Sequence, residues 1–157
     1  MFTRLVQLTA ALLSFAVLTA ASAAQPGDDG VVRVRSAYSV EESVNRIKAD
    51  IAAKGILFFS AIDQAKLAAD AGVKLRPSTL LIFGNPALGS QFITSKPESG
   101  LDWPVRLLVQ QDDAGNVWAV YTDFGWIARR HGIKDRDAQF AMASKVIASI
   151  TSSVAAK

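Results

Sequence analysis

With 157 residues, 17 basic and 14 acidic groups and no cysteine, the chain is sized for one domain whose single core must hold without disulfides. A lone histidine and no cysteine rule out the common zinc, iron–sulfur and covalent c-haem arrangements and any cysteine nucleophile, so neither metal nor cofactor is expected. The charge is too balanced for a nucleic-acid surface, and no Gly-x-Ser-x-Gly elbow, Gly-x-Gly-x-x-Gly turn or P-loop pattern is present.

Residues 1–24 read as an export signal. Arg4 gives a positive start, Leu5 to Ala20 is an uncharged apolar run, and Ala21-Ser22-Ala23 supplies the small residues that signal peptidase requires. An uncleaved membrane anchor would need roughly 20 apolar residues, so cleavage after Ala23 or Ala24 is the expectation, with no stable membrane anchor afterwards. No cysteine is available for a lipid anchor and the signal has no twin arginine, which points to general export into a Gram-negative periplasm. Loss of Arg4 leaves 16 basic against 14 acidic groups, a net +2.

Residues 25–30 read as a flexible lead-in to one domain over 31–157. Val32, Val34 and Ser36 alternate with Arg33 and Arg35, the period of a half-buried strand. Ser39 and Glu42 form a Ser-x-x-Glu capping box, behind which Val40, Val44, Ile47 and Ile51 share one helix face, and Gly55 is placed to end that helix. Ile56 to Ile62 is a short aromatic and β-branched run expected as a buried strand. Asp63 caps a second helix through Ala71, stopped by Gly72.

Thr79 to Phe83 is the third strand. Gly84-Asn85-Pro86 follows as a strand-to-helix corner, with Asn85 as cap and Pro86 at the first helical position. Ser95 to Pro104 is a polar loop, and Val105 to Gln110 and Val117 to Thr122 are antiparallel strands joined by the turn chemistry of Asp112-Asp113-Ala114-Gly115-Asn116. Asp123 caps a short helix ending at Gly132. The last helix begins near Asp135 and carries Phe140, Ala143, Ile147 and Ile150 on one stripe. About five strands with interspersed helices predict an α+β two-layer domain, its mixed or antiparallel sheet covered by helices on one face.

Four segments in order, Arg76-Pro77-Ser78-Thr79-Leu80-Leu81-Ile82-Phe83-Gly84-Asn85-Pro86, Leu101-Asp102-Trp103-Pro104, Tyr121-Thr122-Asp123 and Arg129-Arg130-His131-Gly132, resemble the DUF302 family of small α+β domains without an assigned activity. The resemblance runs from about Val31 to Ile133. Two positions depart from it: Gln64 stands where many members have a histidine after the aspartate, and Phe124 where a proline often follows Tyr-x-Asp.

A strand leading into a helix N-terminus points backbone N–H groups at a natural anion site. Gly84, Asn85 and Pro86, with Arg76 and Arg106 as neighbouring cations and His131 added, are therefore the candidate ligand-binding residues for a small anion. Capping alone also explains the corner. His131 is the one side chain that ordinarily titrates near neutrality, yet a positive group at a helix C-terminus needs no catalytic role. Asp63, Glu98 and Asp102 are the carboxylates that could join it, with Asp63 expected as a cap and Asp102 as the anchor of a loop. Trp103, Trp118, Trp126, Tyr121 and Phe124 are candidates for an apolar pocket or, more simply, for core. The expectation is a non-catalytic binding or interaction module with no catalytic residues assigned, and a homodimer formed through an open sheet edge. The alternative is a small enzyme using His131 with a carboxylate.

Overall fold

The computed structural model describes residues 27–156, so the expected export signal at residues 1–24 and the first residues of the lead-in lie outside the described residues. The end of the lead-in is an ordered turn. Gly30 N–H donates to Gly27 O at 2.9 Å and Val31 N–H to Asp29 Oδ1 at 2.9 Å.

Strands β1 (Val31–Arg35), β2 (Leu57–Asp63), β3 (Ser78–Gly84), β4 (Val105–Gln111) and β5 (Val117–Thr122) form one sheet in the order β1-β5-β4-β3-β2, with every pair antiparallel. Helices α1 (Val40–Ala53), α2 (Gln64–Asp70), α3 (Pro86–Ser95), α4 (Phe124–His131) and α5 (Asp137–Ser152) complete the α+β fold. The period-two alternation decides which side is core: Leu81, Phe83, Leu107, Val109 and Ala119 are buried on one face, while Leu80, Ile82, Leu108 and Val120 on the other remain partly open. Against the buried face lie Ile47 and Ile51 of α1 and Phe140, Ala143, Ile147 and Ile150 of α5. Phe92 of α3 stacks on Phe140 with ring centroids 4.2 Å apart, tying those two helices together.

The helix ends follow their sequence signals closely. Gly55 at φ +64° and Gly72 at φ +74° terminate α1 and α2 in the left-handed conformation, where the N–H of Ile56 returns to Ile51 O and that of Val73 to Ala68 O. The capping box is only half made. Ser39 Oγ accepts from Glu42 N–H at 3.2 Å, but the Glu42 carboxylate turns to Arg46 at 2.7 Å.

One strand differs from expectation. β2 is an edge strand with Leu57 53 % and Phe59 47 % exposed, not a buried one, because it has a neighbour only at β3 and its register slips at a bulge between Phe58 and Ser60. The polar loop after α3 also contains a 3-10 turn, Pro97–Leu101, which packs on α3 and α4 and delivers Asp102 and Trp103 to the end of the sheet.

Candidate functional site

The corner after β3 is built as a cap. Asn85 Oδ1 accepts from Leu88 N–H at 3.2 Å, Asn85 O accepts from Gly89 N–H at 2.9 Å, and Pro86 brings no N–H at all. At most one donor, at Ala87, is left in the first turn. A phosphate-sized cradle needs several converging N–H groups, and this terminus lacks them.

Gly84 is not required for an unusual backbone, since its φ is not positive. What it provides is room: a Cβ there would stand 3.2 Å from Trp103 Nε1, and one on Gly89 would overlap the indole outright. The two glycines form a slot for Trp103, which Phe59 of the edge strand meets edge-on at 6.3 Å.

Beside Trp103 opens a cavity of about 400 Å³ between the sheet end, the C-terminus of α1, α3 and α5. Phe83 and Val105 contribute from the sheet, Leu88 and Phe92 from α3, and Met142 and Val146 from α5. Its polar groups are few: Asn85, Ser149 and the lysines Lys54 and Lys145. No carboxylate or histidine lines it. Size and apolar lining with a few polar groups are those of small-molecule sites.

Immediately before Trp103, Asp102 gathers two guanidinium groups and an imidazole. Its carboxylate accepts from Arg130 Nη1 at 3.1 and 3.2 Å, from Arg106 Nη2 at 3.3 Å and from His131 Nε2 at 2.6 Å. Since the carboxylate accepts, the proton of that last bond sits on Nε2. Arg106 also donates to Leu101 O, closing the loop on itself. The Asp102 and His131 side chains are 6 % and 7 % exposed, and the void beside Asp102 measures about 20 Å³, space for about one water. The cluster binds a loop to α4 and β4 and leaves no room for a substrate.

Of the sequence-predicted residues, Gly84 and Asn85 line the cavity, Pro86 starts α3 beside it, and Arg106 and His131 meet at Asp102. Arg76 belongs elsewhere: it pairs with Asp113 at 2.8 Å, beyond the opposite end of β3. The strand between it and Gly84 is seven residues, roughly 23 Å at 3.3 Å per residue, so the two cannot share one small anion. Asp63 and Asp123 are helix caps, accepting from Lys66 and Trp126 N–H at 2.9 and 2.7 Å, and Glu98 lies 3.8 Å from Lys96. Trp103 and Phe124 line the cavity; Trp118 instead donates to Asp112, and Trp126 fills the space over Gly30. Sequence reasoning missed Leu88, Lys54, Met142 and Lys145. A visible signal was Met142, Val146 and Ser149 at helical spacing on α5, a second flank beside the buried stripe.

The domain of unknown function DUF302 matches residues 32–153, which contain both the cavity and the Asp102 cluster. The chain belongs to the DUF302 family. A solved DUF302 protein, the uncharacterized conserved protein from Bacillus stearothermophilus, superposes with a TM-score of 0.72 over 80 % of this chain and 98 % of its own, at 14 % identity, which establishes a common fold. The chain is also 39 % identical over 106 residues to proteins named fluoride-specific ion channel FluC 1 in Brucella suis biovar 1 (strain 1330) and Brucella abortus biovar 1 (strain 9-941). That match takes in 68 % of this DUF302 chain but only 42 % and 39 % of those proteins. No helix among the described residues is long and apolar enough to cross a membrane.

Proposed function

We propose that this DUF302 protein is a non-catalytic binding module, exported to the periplasm, that holds a small organic molecule in the cavity beside Trp103. The observation that carries the reading is the cavity itself: about 400 Å³ of largely apolar wall without a carboxylate or histidine. The inorganic-anion version of the reading has less in its favour. Apolar walls do not replace the hydration shell of a small ion, and the α3 terminus has too few free donors. The same physics argues against transferring the channel name of the longer Brucella proteins to this domain.

The enzyme alternative has one observation behind it, the His131–Asp102 hydrogen bond. An acid–base pair must reach its substrate, however, and this one is sealed beside a void for about one water. Self-association through the sheet has a basis in the exposed Leu57 and Phe59 of the edge strand, against which the bulge in that strand acts as a brake. Sedimentation at micromolar concentration tests it.

The binding reading is tested by gentle purification followed by native mass spectrometry, with Val146→Trp as the cavity-filling control. A retained small molecule in wild type that is lost from the folded variant is the expected result. Equal retention in both, or no bound mass together with no rise in melting temperature on screening apolar small molecules, would count against the cavity.

A further inference from the structure

We infer that the ligand is an amphiphilic organic anion, an aliphatic or aromatic body of roughly a dozen heavy atoms bearing a single carboxylate, with its head at Lys145; this rests on the binding reading above. The size follows from the volume: a 400 Å³ cavity lies near the small end of small-molecule sites, about 300–1,000 Å³, and suits one short chain or ring system. The occupant proposed is accordingly a free small molecule with one chain.

The charge follows from the rim. Two lysines line the cavity and no acidic residue does, so the charged groups of its lining are all positive. The lysines differ in occupation. Lys54 is held by Asp50 one turn back on α1, whereas among the described residues Lys145 has no carboxylate within ion-pair distance. It lies on the same side of α5 as Met142 and Ser149, three and four residues away, and contributes to the largely apolar lining of the cavity. A carboxylate placed there gains a charged partner while its chain enters the space between Leu88, Val146 and Trp103. A cation at the same position would face Lys145 with no compensating acid.

The test uses three probes of one length, decanoate, decanol and decyltrimethylammonium, titrated calorimetrically below their micellar concentrations into the folded protein and into Lys145→Met. Methionine keeps much of the apolar stem and removes the charge. Decanoate should bind wild type most tightly, Lys145→Met should weaken it about three- to fivefold, as for an exposed ion pair, and decanol should bind both proteins equally. Added salt should weaken decanoate alone. Equal binding of decanoate and decanol with no effect of Lys145→Met would overturn the anionic class while leaving the cavity a binding site. Binding of decyltrimethylammonium in preference to decanoate would do the same. Failure of all three probes to bind would overturn this inference, while the binding reading stands or falls by native mass spectrometry and the Val146→Trp control.

Discussion

Asp102 and Trp103 are neighbours in the chain and opposites in their surroundings. Asp102 sits in a closed knot in which a carboxylate meets two arginines and a histidine from β4 and α4; Trp103 borders an open, mostly apolar space with two lysines among its lining residues. The difference separates two jobs that a short stretch of polar and aromatic residues can hide. The knot places the loop, and the loop places the indole. In the proposed reading the part-buried histidine–aspartate bond positions the loop, and the place with room for a ligand is lined by no carboxylate or histidine.

The comparison breaks most sharply at Asp102. Asp102→Ala should leave Arg130, Arg106 and His131 without their common partner. Breaking a buried pair typically costs about 3–5 kcal/mol, and half-exposed arginines reduce that to about 2–3 kcal/mol here. Urea denaturation measures the loss. If the knot holds Trp103 as argued, the folded variant should also bind decanoate less tightly than wild type, although Asp102 does not line the cavity. A destabilised protein with unchanged affinity would separate the knot from the pocket.

Next comes the slot. Gly89→Ala places a Cβ on the Trp103 ring, so the indole must move, at a cost of about 1–3 kcal/mol for overpacking. Gly84→Ala, whose Cβ would stand 3.2 Å from Nε1, should be the milder of the two. An equal effect of both changes, read by thermal melts, would contradict the slot geometry. Asn85→Ala follows at about 1 kcal/mol, the loss of one helix cap. Because Asn85 Oδ1 is engaged by Leu88 N–H, phosphate should stabilise wild type and Asn85→Ala alike. A larger phosphate-induced rise in wild type would restore an anion site at the corner.

Much of the fold was legible because local signals and the final packing agree. Ser39, Asp63, Asn85 and Asp123 each cap the helix that follows them, and the stripe Phe140, Ala143, Ile147, Ile150 is buried. β2 misled because an apolar run reports affinity for something apolar, not the number of neighbouring strands; Phe59 finds Trp103 across the bulge, not a sixth strand. The site was half legible. Gly84 and Asn85 border the cavity, where Gly84 makes room for Trp103 and Asn85 caps α3. Arg76 failed since nearness in sequence becomes distance along an extended strand. Lys145 carried no signal, as a solvent-facing lysine on a helix looks the same whether or not an apolar hollow lies beneath it.

A second aspartate sharpens the contrast at the smallest scale. In the β4–β5 turn, Asp112 accepts from Trp118 Nε1–H at 2.7 Å and from Asn116 N–H at 2.8 Å. The Trp118 bond first, and then the bonds from Asn116, hold its carboxyl below the ordinary carboxylate value despite opposing desolvation. A group whose pKa is depressed on folding stabilises the protein above its unfolded value and loses that contribution as pH falls through the folded one. This aspartate therefore supports the hairpin at neutral pH and progressively stops doing so below about pH 4. Unlike Asp102 it serves one tryptophan in a solvent-exposed turn, so the effect should be small. Asp112→Asn should be less stable than wild type at pH 6, and the gap between them should narrow at pH 3, measured by urea denaturation followed through tryptophan emission. A gap that is the same at both pH values would mean that the turn is held by its backbone geometry and not by the charge of Asp112.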